Sequence, residues 1–406
     1  MRVAILESIV MPAGHEVEFD RILINELKQQ GHEPVLFVPE NFPFKVDYGV
    51  DIVYLAGGEV VTYAGASKWK KPFLSILRER RRRSWFTSAA KKIEEHNIDA
   101  LIIPTGTYRY IKALLDTPLK DSQAAVHVIF HGIGKGEMDR FIKQAHRAKA
   151  YKNVYLDVIS LRHDMLRPDL PRVRKILPPV FLPSSELSGE QQNIAVQSAV
   201  SEQGLESVNS SGSKTTNDAA NQSVNKPIKL GFFGQFRKEK NIERFINAFV
   251  SLNYDDSVQL VVQGATVKPE DGELFESIIK QYSKYSNIQF IHASLIGKDW
   301  DRALLSVDAL LLPYGAERYR YHWAAMLFTA IGFQKPILIS PEINPEVLEQ
   351  YSIGEVLNLD DVHSIGQGIS QFVENLQHNN EKYKQGLINA NEDYSHRALI
   401  QSIVNV

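Results

Sequence analysis

Short apolar runs alternate along the chain with segments whose apolar residues recur at helical spacing. In the first half, the apolar runs cover residues 2–8, 34–39, 51–57, 100–106 and 126–132. Residues 18–30 are one of the helical segments between them. This alternation is typical of parallel strands connected by helices, so it predicts an α/β fold.

The same alternation restarts after the middle of the chain. Its apolar runs cover residues 228–234, 258–264, 288–293, 307–314 and 335–340. Between the halves, residues 184–226 contain neither an aromatic residue nor a proline. Such a segment buries too little apolar surface to offset its ordering entropy, so we interpret it as a flexible linker or insert.

These boundaries predict two doubly wound domains that face a cleft. The N-terminal domain covers residues 1–183, the linker 184–226 and the C-terminal domain 227–390. Residues 391–406 are expected to form a helix that can pack back on the N-terminal domain. Ligands of such sheets bind beyond the carboxyl ends of the strands, so residues at strand-to-helix turns carry the candidate chemistry.

Composition limits the kinds of site that the chain can contain and the cellular location that we expect for it. The 406 residues carry a formal net charge of −2 and include no cysteine, which excludes disulfides, thiolate metal sites and a cysteine nucleophile. The first residues lack the pattern of a signal peptide, and no apolar run is long enough to span a membrane. We therefore expect a cytoplasmic protein.

One candidate site follows the first apolar run of the second half. That run ends at Gly234 and is followed at once by Arg237, Lys238 and Lys240, before an amphipathic helical pattern. A helix N-terminus already carries partial positive charge, so cations beside it favour an anion. A glycine turn, backbone N–H groups and cations together suit a diphosphate. The alternative is a cluster of charges in water at a loop.

A second candidate lies within residues 307–340. A strand that ends at Pro313 leads into a polar and aromatic loop, and then into a helix rich in small residues. Small residues let a helix start lie close to a bound phosphate or nucleoside. Glu317, with Arg320 or His322, is suited to hold hydroxyls or phosphate. The alternative is an ordinary crossover whose tyrosines and tryptophan cap the sheet.

Residues 68–86 hold eight Lys and Arg residues against one Glu, interleaved with aromatic and aliphatic residues. A basic segment of this kind suits contact with an anionic membrane surface. The predicted contact residues are Trp69, Lys70, Lys71, Arg80, Arg81, Arg82, Arg83 and Trp85. The alternatives are a solvated helix face and a nucleic-acid patch.

His131 stands at a strand end in the first half, ahead of Gly132 and Lys135. A histidine that faces the cleft there can position an acceptor hydroxyl or act as a base. The alternative is a histidine that is hydrogen-bonded at a strand terminus.

The Asp-x-Asp of residues 299–301 is better interpreted as a helix cap than as a metal ligand, so we predict no metal and no cofactor.

The order of these segments resembles the GT-B glycosyltransferases, specifically the group 1 (family four) retaining enzymes. The family's G-R-x-x-x-x-K-G turn is similar to residues 234–241, and its A-F pair to Ala248 and Phe249. Its A-x-G-x-P-V segment is similar to residues 330–337, which have one extra residue. In the first half, residues 29–39 resemble the family's r-G-H-e-V-x-v stretch.

The resemblance implies two Rossmann-like domains and a set of site residues. The implied donor diphosphate residues are Gly14, Gly234, Gln235, Arg237 and Lys240. The implied residues for the donor sugar and nucleoside are His292, Tyr319, Arg320, Ala325, Met326 and Leu327. The implied catalytic residues are His131 and Glu317.

Two departures from the family pattern stand out. Gln235 occupies the position of the family's diphosphate-binding arginine, for which Arg237 is a candidate substitute. The family's paired glutamates are absent, since the second would fall near Met326 or Leu327. Either the chain is a divergent member that holds its donor through Tyr319, Arg320 and backbone N–H groups, or it has lost activity.

The expected protein is a hexosyltransferase that moves a sugar from a nucleotide diphosphate-sugar to a glycan or lipid-linked acceptor. We expect retention of configuration, no metal and a role in bacterial-type surface polysaccharide biosynthesis. The expected partners are the donor, the acceptor and the inner face of the cell membrane, but no nucleic acid. The alternatives are a non-catalytic GT-B protein that binds a sugar or a partner glycosyltransferase, and a nucleotide-sugar epimerase of the same fold.

Overall fold

A computed structural model describes residues 1–8, 16–42, 47–63, 67, 69–162, 164, 166–184, 226–378 and 381–404. Gly14 and nearly all of the predicted linker, residues 185–225, lie outside these described residues. The described residues form two α/β domains, one on either side of residues 185–225.

The N-terminal domain is built on a parallel sheet. Within the described residues its seven strands are β1 (Arg2–Leu6), β2 (Glu33–Pro39), β3 (Ile52–Leu55), β4 (Ala100–Ile103), β5 (Ala125–Phe130), β6 (Val154–Ile159) and β7 (Val173–Ile176). They lie in the order β3-β2-β1-β4-β5-β6-β7. Its helices are α1 (Glu16–Gln29), α2 (Lys70–Glu95), α3 (Tyr108–Leu115) and α4 (Met138–Ala148).

The C-terminal domain repeats this architecture. Its six described strands are β8 (Ile228–Phe232), β9 (Val258–Gln263), β10 (Ile288–Ile291), β11 (Ala309–Leu312), β12 (Ile337–Ile339) and β13 (Gly354–Val356), in the order β10-β9-β8-β11-β12-β13. Its helices are α5 (Ile242–Ser251), α6 (Pro269–Tyr282), α7 (Gly297–Leu305), α8 (Ala325–Gly332), α9 (Pro345–Gln350), α10 (Val362–His378), α11 (Glu381–Asp393) and α12 (His396–Val404).

The central strands are apolar because helices cover both faces of each sheet. Every residue of β4 and β11 is buried, as expected for parallel strands between two helical layers. The strand order reverses beside β1 in one sheet and beside β8 in the other. These reversals leave a crevice at the carboxyl ends of the strands, and the turn after β8 lies at one of them. The predicted fold of two doubly wound domains is confirmed.

The end of the chain returns to the N-terminal domain. Helix α12 packs against α1, and the Arg174 guanidinium of β7 donates a hydrogen bond to the Ile403 carbonyl over 3.4 Å. Before α12, the Val180 N–H donates to the Tyr394 carbonyl over 2.9 Å. The Phe181 N–H also donates to the Phe328 carbonyl of α8 over 3.3 Å. Backbone hydrogen bonds thus fix the second domain to the segment that follows β7.

Candidate active site

The turn after β8 is fastened to the end of β9. The Gly234 N–H donates to the buried side-chain oxygen of Gln263 over 2.8 Å, and the Phe236 N–H donates to the Ala265 carbonyl over 2.8 Å. Gly234 has a φ of 113°, which favours glycine because it lacks a Cβ. The Lys240 Nζ lies 3.6 Å from where a Cβ of Gly234 would stand. The glycine therefore leaves space beside the ammonium group.

Lys240 ends a single turn of 3₁₀ helix over Lys238–Lys240, ahead of α5. Its side chain is buried, with 8% of the residue exposed. The ammonium lies over two aromatic rings, 4.6 Å from the centroid of Tyr314 and 5.6 Å from that of Phe232. Among the described residues it has neither an ion-pair partner nor a hydrogen-bond acceptor.

Electrostatics make this ammonium a receptor for negative charge. Burial is the main cause that lowers the pKa of Lys240 to about 7, with a smaller contribution from the nearby guanidinium groups of Arg237 and Arg318 and an opposing effect of Glu239. A buried charge without a partner is costly, so an anion beside Lys240 would stabilise its charged form. The space next to Gly234 is where such an anion fits.

Two arginines and one glutamate surround this lysine. The Arg237 guanidinium donates to the Gln235 side-chain oxygen over 2.7 Å and lies 4.0 Å from the Glu239 carboxylate. Arg318 donates to Glu239 over 2.9 Å, which links the turn after β8 to the loop after β11. Arg320 is the residue predicted from the sequence, but Arg318, which is also exposed, makes this contact. The Glu-Arg-Tyr-Arg run contained both arginines, but only the fold shows which one reaches the turn.

Tyr314 is a second buried polar group without a partner. It follows β11, its hydroxyl is buried, and among the described residues no group hydrogen-bonds to that hydroxyl. Burial raises the pKa of Tyr314 far above its ordinary value. Its ring packs at 5.0 Å from that of Tyr319. Tyr314 is not among the residues predicted from the sequence, although its position after a central strand is a usable signal.

The predicted nucleoside-binding residues at the start of α8 differ in how deeply they are buried. Ala325 and Met326 are half-buried in the first helical turn, where backbone N–H groups lack intrahelical partners. The Leu327 side chain is fully buried in the core. That side chain points into the apolar interior, so it is not available to a donor, and the predicted contact at this position stays a prediction.

His292 directly follows β10, and Tyr319 lies in a turn of 3₁₀ helix over Glu317–Arg320 in the loop after β11. The His292 ring bonds to the Thr266 hydroxyl over 3.0 Å through Nε2, and its Nδ1 lies against the Glu276 carboxylate. Tyr319 is half-buried, and its hydroxyl accepts a hydrogen bond from Arg318 over 2.9 Å. Both residues are therefore already held in place by neighbours, and their contacts to a donor stay predictions.

The two domains touch where β5 ends. Gly132 forms an antiparallel bridge with His322. The His131 Nε2 lies 2.8 Å from the Pro104 carbonyl, so this nitrogen carries the proton that it donates. Its Nδ1 accepts from the Trp323 indole N–H over 3.3 Å. With both ring nitrogens bonded, the predicted role of His131 as a base is not supported by this geometry. The histidine instead positions the two domains.

Glu317 faces the N-terminal domain at the edge of the cleft. Its carboxylate lies 3.9 Å from the Lys135 ammonium, with both side chains mostly exposed, and it accepts from the Tyr321 hydroxyl over 3.4 Å. Exposed ion pairs contribute little to stability. A catalytic role for Glu317 stays a prediction.

A pocket of about 140 Å³ opens beside this domain contact. Its lining includes Thr105, Gly106, Tyr108, His131, Gly132 and His322. The Thr105 hydroxyl is buried, and among the described residues it has no hydrogen-bond partner. The pocket therefore offers a polar group to a ligand at the junction of the two domains.

The predicted membrane residues occupy several faces of α2 and its start. Trp69, Lys70, Lys71 and Arg80 are exposed, whereas Arg81 and Arg83 are half-buried. Arg81 donates to the Gly57 carbonyl over 2.6 Å, and Arg83 pairs with Asp116 over 3.0 Å.

Arg82 and Trp85 lie on the face of α2 that packs against the domain. The Arg82 guanidinium is buried, pairs with Glu79 over 2.7 Å and lies 4.4 Å from the centroid of the Tyr110 ring. The Trp85 indole is buried and donates to the Gly58 carbonyl over 2.8 Å. The prediction that these two residues contact a membrane is wrong, because helical periodicity turns them inward.

The described residues contain neither a metal-ligand cluster nor a helix suited to span a membrane. No cluster of three or more His, Asp or Glu residues there is arranged to hold a metal ion. Likewise, no helix in this described part has the length and apolar character needed to cross a membrane.

Comparison with known proteins connects this geometry to a family. Residues 213–388 match the family described as glycosyl transferases group 1. No curated protein sequence gives a significant match. A glycosyltransferase from Rickettsia africae has a similar structure, with a TM-score of 0.65 and 11% identity over 100% of this chain and 97% of that one.

Two further structures are similar over their whole lengths. Anabaena Alr3699/HepE in complex with UDP has a TM-score of 0.65 and 11% identity, over 100% of this chain and 99% of its own. WaaG, a glycosyltransferase involved in lipopolysaccharide biosynthesis, has a TM-score of 0.55 and 14% identity over 100% of both chains. At these identities the structures establish the fold, and the family match covers the domain that contains Lys240. The C-terminal domain therefore matches the group 1 glycosyltransferases, and the chain as a whole has the GT-B fold of these solved structures.

Proposed function

We propose that the enzyme transfers a sugar from a nucleotide diphosphate-sugar to a glycan or lipid-linked acceptor, with the donor diphosphate on the turn of residues 234–240. One observation carries the proposal: Lys240 holds an ammonium group that is buried against aromatic rings and has no anionic partner in the described chain. A diphosphate beside Gly234 would complete the site. HepE binds UDP, and this supports uridine as the nucleoside to test first.

In this proposal, charge stabilisation accounts for the chemistry at the donor. Negative charge builds on the diphosphate as the bond to the sugar breaks, and fixed cations in a water-poor site stabilise that charge. Lys240 supplies one cation at the turn, and Arg237 and Arg318 supply two more beside it. These cations let the reaction proceed without a metal ion. Retention of configuration follows from the resemblance to group 1 enzymes.

The acceptor end of the proposal lies at the pocket beside His131. Thr105 offers a buried hydroxyl there, and the His131–Trp323 contact holds the two domains together around it. Closure around a reactive sugar excludes water, which limits hydrolysis of the donor. A role in surface polysaccharide biosynthesis is supported by the similarity to WaaG.

Donor affinity should depend on pH through Lys240. Its pKa of about 7 in the free enzyme means that it is largely neutral above that pH and must take up a proton when a diphosphate binds. We expect the affinity for UDP to be constant below about pH 7 and to fall by up to about tenfold per pH unit above it. Calorimetry across this range measures the effect. The Lys240→Met variant is the control, and an equally steep decline in that variant would contradict the assignment.

Membrane contact should depend on the exposed start of α2. Trp69 and Phe73 are 93% and 70% exposed there. We expect Trp69→Ser/Phe73→Ser to weaken binding to anionic vesicles by more than about tenfold, since each large apolar side chain contributes up to about 1.5–3 kcal/mol when buried. Co-sedimentation measures this. Leu166→Ser/Val356→Ser removes exposed apolar side chains elsewhere and should have little effect, so equal losses would contradict the prediction.

The rival function is a GT-B protein without catalysis, which the absence of the paired glutamates favours. Incubation with UDP- and GDP-sugars, with and without acceptor glycans, tests the choice by the release of nucleoside diphosphate. We expect release that requires an acceptor and is lost in Lys240→Met. Sugar binding without release would support the rival, and turnover without an acceptor would support epimerisation or hydrolysis.

A further inference from the structure

A groove of about 900 Å³ lies between α2 and α3 of the N-terminal domain. It opens at the carboxyl edge of the sheet, because Gly57 follows β3 and Tyr108 begins α3 after β4. Tyr108 lines both this groove and the smaller pocket beside His131. The groove therefore leads to the place where the proposed function puts the acceptor.

The lining of the groove is strongly cationic. It contains a single carboxylate, that of Glu79, and five cations, namely Arg80, Arg83, Lys91, Arg109 and Lys112. Arg83 is paired with Asp116 over 3.0 Å. Among the described residues the other four cations form no ion pair with a carboxylate. Because the whole chain carries a net charge of −2, this local excess is a specific feature of the groove and favours an anionic ligand.

An apolar strip leads into the groove along one face of α2. Trp69, Phe73 and Ile76 follow each other at helical spacing and are 93%, 70% and 70% exposed. Ile76 also lines the groove, and Arg80 continues the same face one turn later. The apolar surface is thus followed directly by the cationic groove. This arrangement suits a ligand in which an apolar chain is attached to a phosphate.

We propose that this groove binds a phosphate or diphosphate group of the acceptor. An apolar chain attached to that phosphate would lie on Trp69, Phe73 and Ile76, and the sugar to be extended would pass Tyr108 into the pocket beside His131. This inference rests on the proposed function in one respect, namely that a sugar on the bound acceptor is extended. Hydroxyls in the lining, such as those of Thr87 and Ser88, supply further donors to phosphate oxygens. A nucleic acid fits less well, because Tyr108 is the single aromatic residue of the groove lining.

The test compares two lipid headgroups at matched vesicle charge. Vesicles of phosphatidylcholine carry either phosphatidic acid, a phosphate monoester, or phosphatidylserine. We expect the wild type to bind the phosphatidic acid vesicles about tenfold more tightly, since charge-assisted hydrogen bonds recognise the phosphate itself. Arg80→Glu/Lys112→Glu should abolish this preference. The variant Lys143→Glu/Lys149→Glu, with Lys143 on α4 and Lys149 directly after it, makes the same change in net charge outside the groove and should keep the preference.

The outcomes separate the sources of the phosphate. Release of the wild type by excess glycerol 3-phosphate supports a soluble phosphorylated acceptor, and resistance to it supports a lipid-borne one. Equal binding to both vesicle types, an unchanged preference in the groove variant, or displacement by an RNA oligonucleotide would overturn the proposal.

Measuring UDP binding by the wild type and by the groove variant separates the proposed function from the proposed anion site in the groove. If the groove variant loses headgroup preference and still binds UDP like the wild type, the groove is a separate anion site. If the wild type binds neither UDP nor GDP, the proposed function is wrong, while the vesicle comparison still decides the groove.

Discussion

Lys240→Met is expected to lose donor binding while it gains stability. A charge-assisted contact contributes about 1.5–3 kcal/mol, so the dissociation constant for UDP should rise by roughly 10- to 150-fold. Methionine has a similar length and keeps the packing against Phe232 and Tyr314. Calorimetry gives the affinity. Lys238→Met is the matched control, because Lys238 lies in the same turn and is exposed.

The stability gain has a definite pH dependence. The pKa of Lys240 falls from 10.5 to about 7 on folding, so the unfolded chain binds the extra proton between these values and wild-type stability rises with pH across that window. Below about pH 7 the full cost of burying the charge is present. Thermal unfolding should therefore show a larger gain for Lys240→Met at about pH 6 than at about pH 9. A destabilised variant with normal UDP affinity would contradict the assignment of Lys240 as a binding residue.

Gly132→Ala should separate sugar transfer from donor binding. Gly132 has a φ of 110°, and a Cβ there would lie 2.3 Å from the Tyr321 carbonyl oxygen and 2.7 Å from the His322 Cα. Both of these atoms belong to the backbone of the other domain, so the bridge must open. Strain at such a position costs about 1–3 kcal/mol, and we expect turnover to fall by at least about tenfold.

UDP affinity should change little in the same variant, because the diphosphate turn lies in the other domain. Gly136→Ala is the matched control, since a Cβ at Gly136 has nothing within 4 Å. Turnover rates and calorimetric affinities for UDP, measured for the wild type, Gly132→Ala and Gly136→Ala, test this expectation. An equal loss of UDP affinity and turnover would show that the domain contact is not specific to the transfer step.

The fold was largely predictable because most strands are continuous apolar runs. Three short or charged strands were missed. β6 contains Asp157 and β7 contains Arg174, which interrupt the apolar pattern, and β13 is only three residues long. The fold tolerates these charges because the Arg174 Nε donates to the buried Asp157 carboxylate over 2.7 Å. A pairing between two strands cannot be seen in either strand alone.

The site was predictable where one segment carries it, as at Gly234 and Lys240. Its electrostatics were not, because the rings that bury Lys240 come from β8 and from the residue after Pro313. Arg318 was missed for the same reason, since its partner Glu239 is distant in sequence. On α2, the basic run was interpreted as one surface, although a helix distributes consecutive residues over all its faces.

Calorimetric titration of UDP and UMP into the wild-type enzyme near pH 6.5 tests the central claim most directly. At that pH Lys240 is largely charged. If the turn of residues 234–240 holds the donor diphosphate, UDP should bind at least about tenfold more tightly than UMP, because the second phosphate adds a charge-assisted contact. Equal affinities, or no binding of either nucleotide, would contradict the claim that this turn is a diphosphate site.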